Sequence, residues 1–151
     1  MVLIPTDELY IPANEDAIEA LLLRNGSLIK GMTDDIKKEI IRELTEGMIR
    51  GEGIDQLVKR IERYIGSEEG KGQSRAERIA RTEIMYALNK GSLSKYAGDG
   101  VEKVEWLAGP DDRCCDTCVN NNGKVFKISE APSIPIHPNC RCCWIAYFDD
   151  E

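Results

Sequence analysis

Two short clusters of cysteine near the end of the chain carry the residue types best suited to chemistry. All six cysteines and the only histidine lie between residues 114 and 143. The first cluster reads Cys-Cys-Asp-Thr-Cys over residues 114–118, and the second reads His-Pro-Asn-Cys-Arg-Cys-Cys over residues 137–143. A Cys-x-x-Cys turn places two sulfurs on one side of a tight loop, and two such loops together can form a tetrahedral site. The pattern therefore predicts one bound Zn²⁺ ion.

The spacing between the clusters supports a zinc site but does not select its ligands. Eighteen residues separate Cys118 from His137, which is within the range of common zinc ribbons, and 21 residues separate Cys118 from Cys140. A tetrahedral site takes four ligands, whereas five candidates are present. The candidate metal ligands are Cys115, Cys118, His137, Cys140 and Cys142.

Three other interpretations of the cysteines remain open on the sequence. They can be buried core thiols, they can pair as disulfides after release to an oxidising medium, or one can form a nucleophile–base pair with His137. The N-terminus lacks the basic and apolar segments of a secretory signal, so we expect folding in a reducing cytosol, where clustered thiols favour metal. Nothing marks one cysteine as uniquely activated, and Cys114 and Cys143 are expected to face away from the site.

Hydrophobic periodicity predicts helices upstream of these clusters. Residues 1–13 are expected to form an extended arm, because Pro5 and Pro12 oppose a helix. Asn14 can cap a short helix, and Thr33 can cap a second, longer one. The apolar face of the second helix recurs every four residues, at Ile36, Ile40, Leu44 and Met48.

Two more helices are predicted before the chain changes character. The third covers residues 54–65 and is followed by a polar, glycine-bearing loop over residues 66–72. The sequence Ser74-Arg-Ala-Glu77 is a capping box and gives the clearest helix start in the chain. The helix that it opens is expected to reach at least residue 90.

After Gly98 the pattern changes to short runs of β-forming residues separated by glycine, proline, asparagine and aspartate. Three strands are predicted, over residues 101–106, 125–128 and 144–148. The fold class is therefore predicted to be α+β, with an N-terminal helical domain followed by a small antiparallel β zinc-knuckle-like region. We divide the chain into an N-terminal arm and short helix (1–26), a helical part (27–98) and a β-rich Cys/His knuckle (99–151).

Charged residues on the fourth helix have a functional and a plain interpretation. Arg75, Arg78 and Arg81 recur at a spacing of three, which suits a local contact with DNA phosphates or with an acidic partner. The plain interpretation is a solvated face on which Glu77 and Arg81 pair. The net charge is −7 and no block of the chain has the basic excess of a general DNA-binding surface. Glu83, beside the apolar stripe, needs an arginine or backbone N–H partner if it is buried.

Several motifs in a fixed order resemble one family. They are Ser27-Leu-Ile-Lys-Gly31, Arg78-Ile-Ala-Arg-Thr-Glu83, Ala87-x-Asn89-x-Gly91, Val104-Glu-Trp106, Asp112-Arg-Cys-Cys-Asp-Thr-Cys118, Gly123-Lys-Val-Phe126 and His137-Pro-Asn-Cys-Arg-Cys142. Over residues 27–148 the chain resembles the Mu F-like domain of phage head-morphogenesis, or minor capsid, proteins. The Ala-Arg-Thr-Glu and His-Pro-Asn-Cys-Arg-Cys signatures together are specific.

The resemblance implies a structural protein of the virion rather than an enzyme. Members are minor capsid proteins, present in few copies and linked to the portal, to head assembly or to DNA delivery. The implied partners are the portal or other capsid proteins, and the implied location is the capsid, assembled in the cytoplasm of a bacterial or archaeal host. No apolar run is long enough to span a bilayer, so no membrane partner is expected.

The alternative function is a phage-associated enzyme, either a nuclease or a modifying factor, that uses the Cys/His cluster. The sequence offers no histidine pair, carboxylate-rich metal cluster or phosphate-binding loop in support of it.

Overall fold

The computed structural model describes residues 15–24, 26–65, 74–109 and 114–150. Helices come first in the described residues, and short strands with one short helix and a 3₁₀ turn follow them. The helices before the first strand are α1 (Glu15–Leu22), α2 (Asp34–Ile49), α3 (Ile54–Ile65) and α4 (Arg75–Gly98). They are followed by β1 (Lys103–Leu107), α5 (Asp116–Asn121), β2 (Val125–Lys127), a 3₁₀ turn (Ile128–Glu130) and β3 (Cys143–Tyr147).

The starts of α2 and α4 are set by hydroxyl caps, as the sequence predicts. The Ile36 backbone N–H donates to Thr33 Oγ1 at 3.3 Å, and the Glu77 backbone N–H donates to Ser74 Oγ at 3.1 Å. Each bond satisfies one of the N–H groups that a helix start leaves without a partner. The carboxylate of Glu77 accepts from Arg81 Nε at 2.9 Å, one turn further along the helix.

Helix α4 belongs to both of the cores in the described residues. Its first half packs with α1, α2 and α3, and its last turns, at Leu93 and Tyr96, pack against the sheet. It continues through the buried Gly91 and ends at Gly98. The helical core includes Ala17, Leu21, Ile29, Ile40, Leu44, Leu57, Ile61, Ala80 and Ala87.

The strands form a three-stranded antiparallel sheet in the order β2-β1-β3. Val104 lies opposite Phe126 on one side and Ala146 on the other, and Trp106 lies opposite Trp144. The two tryptophan rings meet edge to face, with centroids 5.3 Å apart, a favoured aromatic geometry. This small sheet after the helical part confirms the predicted α+β fold class.

The bounds of all three predicted strands need correction, and one helix was missed. Strand β1 covers Lys103–Leu107 rather than 101–106, and β2 ends at Lys127 rather than at 128. Helix α5 was not predicted, because it is only six residues long and rich in turn-forming residues. The third strand begins at Cys143 and ends at Tyr147, since Phe148 leaves the sheet and is 72% exposed. The predicted arm (1–13), the Asn14 cap and the loop at 66–72 lie outside the described residues.

A buried ion pair joins α4 to the end of α1. Glu83 is fully buried, and Arg24 Nε donates to its Oε2 at 2.8 Å. The Arg24 guanidinium also lies over the Tyr86 ring, 3.8 Å from the centroid. An arginine partner for Glu83 is thus present, as expected for a buried carboxylate. Burial raises the pKa of Glu83 above its usual range, although hydrogen bonding and attraction from Arg24 oppose the shift.

We expect Arg24→Met to destabilise the fold, and more strongly at high pH. Without Arg24 the pKa of Glu83 rises further, so the folded state holds a proton that the unfolded chain releases above about pH 4.3. A folded-state pKa above the unfolded value gives stability at low pH that is lost as the pH rises through the folded value. Urea unfolding should show a loss of about 3–5 kcal/mol relative to the wild type at pH 8 and less at pH 5.

The matched control is Arg50→Met, because Arg50 pairs with Glu46 at 2.9 Å on an exposed face. It should change the free energy of unfolding by no more than about 1 kcal/mol at either pH. A loss in Arg24→Met that does not depend on pH would show that Glu83 is not the group responsible.

Candidate metal centre

The first half of the centre is a helix start built around Cys115. This residue has extended backbone angles (φ −72°, ψ 160°) and caps α5, where its Sγ accepts from the Cys118 backbone N–H at 3.4 Å. A cap and the third residue of the following turn lie on the same side of a helix start. The Cys-x-x-Cys spacing therefore brings both sulfurs to one side.

The second half is a tight turn that begins at His137. The Cys140 backbone N–H donates to the His137 carbonyl at 3.2 Å, and Asn139 within the turn has a left-handed φ of 62°. Asparagine tolerates that conformation better than most residues. His137 Nδ1 lies 2.8 Å from the Pro138 carbonyl oxygen, so a proton on Nδ1 is donated there. That tautomer leaves the Nε2 lone pair free to bind a metal.

The donor atoms of the two halves lie close to the distances that a metal ion requires, and the nitrogen–sulfur distances are a few tenths of an ångström shorter. His137 Nε2 is 3.2 Å from Cys115 Sγ and 3.3 Å from Cys118 Sγ, and Cys118 Sγ is 3.9 Å from Cys140 Sγ. Tetrahedral Zn²⁺ with ordinary bond lengths separates sulfur from nitrogen by about 3.6 Å and sulfur from sulfur by about 3.8 Å. The residues present therefore fit a zinc-sized ion.

The donors form two overlapping triads that share Cys118. Within each triad the ligand atoms lie within 4.8 Å of one another: Cys115, Cys118 and His137 in the first, and Cys118, Cys140 and Cys142 in the second. The structure thus brings together all five residues singled out by spacing, and places Cys118 where the two halves meet. Cys114 and Cys143 belong to neither triad. Cys114 nevertheless lines the small cavity at the centre, so the expectation that it faces away from the site needs correction.

The enclosed space at the centre is very small. A cavity of about 10 Å³ lies between the first triad and Cys142, with Gly109, Asn139 and Arg141 on its walls. That is the size of a single water molecule or ion, because a water needs roughly 10–15 Å³ measured in this way. The arrangement can therefore hold a metal ion.

The thiols differ in acidity. Hydrogen bonds from the Cys118 backbone N–H and thiol, together with His137, hold the pKa of Cys115 below its usual range. Burial raises the pKa of Cys118 and raises that of Cys142 to about 11. A bound cation would offset this cost, because it stabilises the thiolate form of every ligand sulfur.

Sequence reasoning missed some residues that contact the centre. Thr82 and Asn89 of α4 are polar and buried, and both hydrogen-bond to the segment that carries His137 and Cys142. The sequence contains a signal for these contacts, because polar residues on an otherwise apolar helix face indicate buried hydrogen bonds. Neither was given a role from the sequence.

A second, larger cavity lies beside the start of α4. It measures about 150 Å³, and three basic residues, Lys30, Arg75 and Arg78, lie on its wall with Glu83. Arg75 and Arg78 of the predicted arginine trio therefore converge on it. Arg81 does not line this cavity and pairs with Glu77 instead.

Comparison with known proteins gives one family and a distant relative. The family model described as "Phage Mu protein F like protein" matches residues 38–145. An uncharacterized protein of Haemophilus influenzae (strain Rd) is 25% identical over 144 residues, which cover 93% of this chain and 31% of the relative. The chain thus spans about a third of that relative's length. No solved structure matches the chain. In the described residues, no helix is long and apolar enough to cross a membrane.

We expect the thiols of the metal-free chain to react at different rates. Cys115 is half-buried and has a lowered pKa, so it should be alkylated by iodoacetamide before Cys118 and Cys142, which are buried and have raised pKa values. Mass spectrometry of peptides at increasing reaction times gives the order. In urea the differences should disappear, and faster labelling of Cys118 than of Cys115 in the folded chain would contradict the geometry.

Proposed function

Because the chain belongs to the family of phage Mu protein F-like proteins, we propose that it is a structural minor capsid protein of a phage or prophage. The observation that carries this proposal is the extent of the family match. It begins in α2 and ends within β3, so it includes α4, β1, β2 and every candidate metal ligand. The family is one of head morphogenesis. We therefore propose that this chain is a component of the virion, and that it acts in head assembly at or near the portal or in DNA delivery.

The proposed role of the Cys/His cluster is a closed structural zinc site. Cys115, Cys118 and His137 supply three ligands, and Cys140 or Cys142 supplies the fourth. A zinc ion held by four protein ligands supplies folding energy, whereas a catalytic zinc keeps an open position. The ion would link the two Cys/His loops, which are separated in the sequence. That cross-link would stabilise the fold.

A structural role is favoured over an enzymatic one by the packing around the cluster. Cys118, Cys140 and Cys142 are each at most 2% exposed and belong to the same core as Trp106 and Trp144. A nucleophilic thiol has to reach its substrate. Sulfurs packed against an aromatic core are better placed to stabilise the fold.

The proposed contact with DNA or an acidic partner lies at the cavity beside the start of α4. Lys30, Arg75 and Arg78 present positive charge there, and the cavity is large enough to receive one phosphate or carboxylate group. Since the whole chain carries a charge of −7, we propose a local contact rather than a general DNA-binding surface.

We expect purified, metal-replete protein to contain close to one zinc ion per chain. Cys118→Ser should remove most of it, because Cys118 is common to both triads. Hydrogen exchange should then accelerate between residues 114 and 143 and remain slow in α1–α3. Cys143→Ser is the matched control and should keep its zinc. A folded wild-type sample without metal would refute the zinc site.

The fourth ligand can be identified by comparing Cys140→Ser with Cys142→Ser. We expect one variant to lose zinc and the other to retain it, because a tetrahedral site needs only one of the two. Elemental analysis of both proteins gives the answer. Full retention by both would show that neither Cys140 nor Cys142 is required as a ligand, and loss from both would show that both are required.

We expect Arg78→Gln to weaken binding of short DNA duplexes and to lower the dependence of affinity on salt. Each phosphate contact contributes a slope of about −0.9 to the logarithmic salt dependence. Arg81→Gln is the control, because Arg81 is already paired with Glu77. Equal effects of the two variants would point to diffuse attraction, and loss of binding to an acidic peptide alone would favour a protein partner.

The virion assignment is tested on particles. In a phage or prophage that encodes this chain, mass spectrometry of purified heads should detect it in fewer copies than the major capsid protein. A mutant lacking it should form few complete, infectious heads. Normal heads and a normal titre without the chain would contradict the proposed function.

A further inference from the structure

Two polar residues of α4 face the second cysteine cluster from the helical half of the molecule. Thr82 and Asn89 are each only 3% exposed, and they lie two turns apart on the helix. Burial of a hydroxyl or an amide costs free energy unless its hydrogen bonds are made. Both side chains make theirs with backbone groups of the segment that contains His137, Cys140 and Cys142.

Thr82 holds the turn between the first two of these candidate ligands. Its hydroxyl donates to the Arg78 carbonyl at 2.7 Å and accepts from the Asn139 backbone N–H at 3.0 Å. Asn139 lies between His137 and Cys140 and has the left-handed φ of 62°. The bond from Thr82 therefore stabilises a backbone conformation that asparagine adopts only as a minority state.

Asn89 holds the chain on both sides of Cys143. Its Nδ2 donates to the Cys142 carbonyl at 3.1 Å and to the Met85 carbonyl at 2.9 Å, and its Oδ1 accepts from the Trp144 backbone N–H at 3.1 Å. One side-chain amide thus satisfies the carbonyl of Cys142, just before β3, and the N–H of Trp144 in β3, as a neighbouring strand would. The position of Cys142 relative to α4 is therefore fixed by hydrogen bonds between the Asn89 side chain and backbone groups, and the Cys142 sulfur takes no part in them.

We propose that Thr82 and Asn89 are positioning residues for the metal centre, which hold His137, Cys140 and Cys142 on α4 before any ion binds. This inference rests on the zinc site proposed above and adds residues that are not ligands. A preorganised half-site loses less conformational freedom when the ion binds, so zinc affinity depends on α4. Partners of this kind commonly contribute about 10–100-fold to metal affinity.

The test compares Thr82→Val with Thr82→Ser in the full chain. Valine has the shape of threonine without the hydroxyl, whereas serine keeps the acceptor for Asn139. We expect Thr82→Val to bind zinc about tenfold more weakly in competition with a chelator, and Thr82→Ser to bind nearly as tightly as the wild type. Thr82 is the better site for the test, because loss of Asn89 leaves two buried backbone groups unpaired and threatens folding.

The matched control is Thr45→Val in α2. Thr45 is also 3% exposed, and its hydroxyl also donates to the carbonyl four residues earlier, that of Ile41, at 2.7 Å. It lies in the helical core, so Thr45→Val should destabilise the chain to urea while leaving zinc affinity unchanged. A purely structural role for Thr82 predicts the same behaviour for both valine variants.

Hydrogen exchange of the metal-free chain provides a readout that does not depend on zinc. Among the metal-free proteins, the Asn139 amide should exchange more slowly in the wild type and in Thr82→Ser than in Thr82→Val. A wild type that binds no zinc would refute the metal centre, and the inference with it. Zinc binding by the wild type with equal affinity in Thr82→Val would overturn the inference alone, as would an Asn139 amide that exchanges equally fast in all three proteins.

Discussion

Each polar side chain that α4 buries needs a hydrogen-bond or ion-pair partner, and three of these side chains have partners that are distant in the sequence. Glu83 pairs with Arg24, Thr82 accepts from the backbone of Asn139, and Asn89 bonds to Cys142 and Trp144. An unpaired group at any of these positions would cost free energy on burial. All of these bonds form together only when α1, α4 and the second cysteine cluster take up their observed arrangement, and Glu83 Oε1 is the one buried side-chain oxygen of the described part of α4 that has no hydrogen-bond partner.

The cysteines serve the core as well as the candidate metal centre. Cys118, Cys140 and Cys142 are buried with Trp106 and Trp144, so the interpretation as core thiols and the interpretation as ligands describe the same residues. Free cysteine packs as a small hydrophobe. The sheet is small, with strands of three and five residues, and the segments between them bury few apolar side chains. A metal cross-link would add stability where apolar burial is limited.

Local rules predicted most of the helical part of the fold. The caps at Thr33 and Ser74 and the four-residue apolar period involve residues within one or two helical turns of each other. They can therefore be predicted from the sequence. Helix α5 escaped prediction, because it has only six residues, is rich in turn-forming residues and is capped by a cysteine sulfur rather than by an oxygen. The five candidate ligands were predicted from spacing alone, and the structure brings them into two overlapping triads. The hydrogen bonds by which α4 holds the second cysteine cluster were not predicted. The bonds of Thr82 and Asn89 span more than 50 residues and depend on tertiary docking.

The position of α4 in the chain has a consequence for vectorial synthesis. A ribosome releases α4 well before the segment 137–143, so the surface that receives this segment can already be folded on the helical core when the segment emerges. Cys115 and Cys118 also precede this segment, so the two halves of the Cys/His cluster cannot meet until residues 137–143 have been made. The cluster therefore closes on a scaffold that the earlier residues have built.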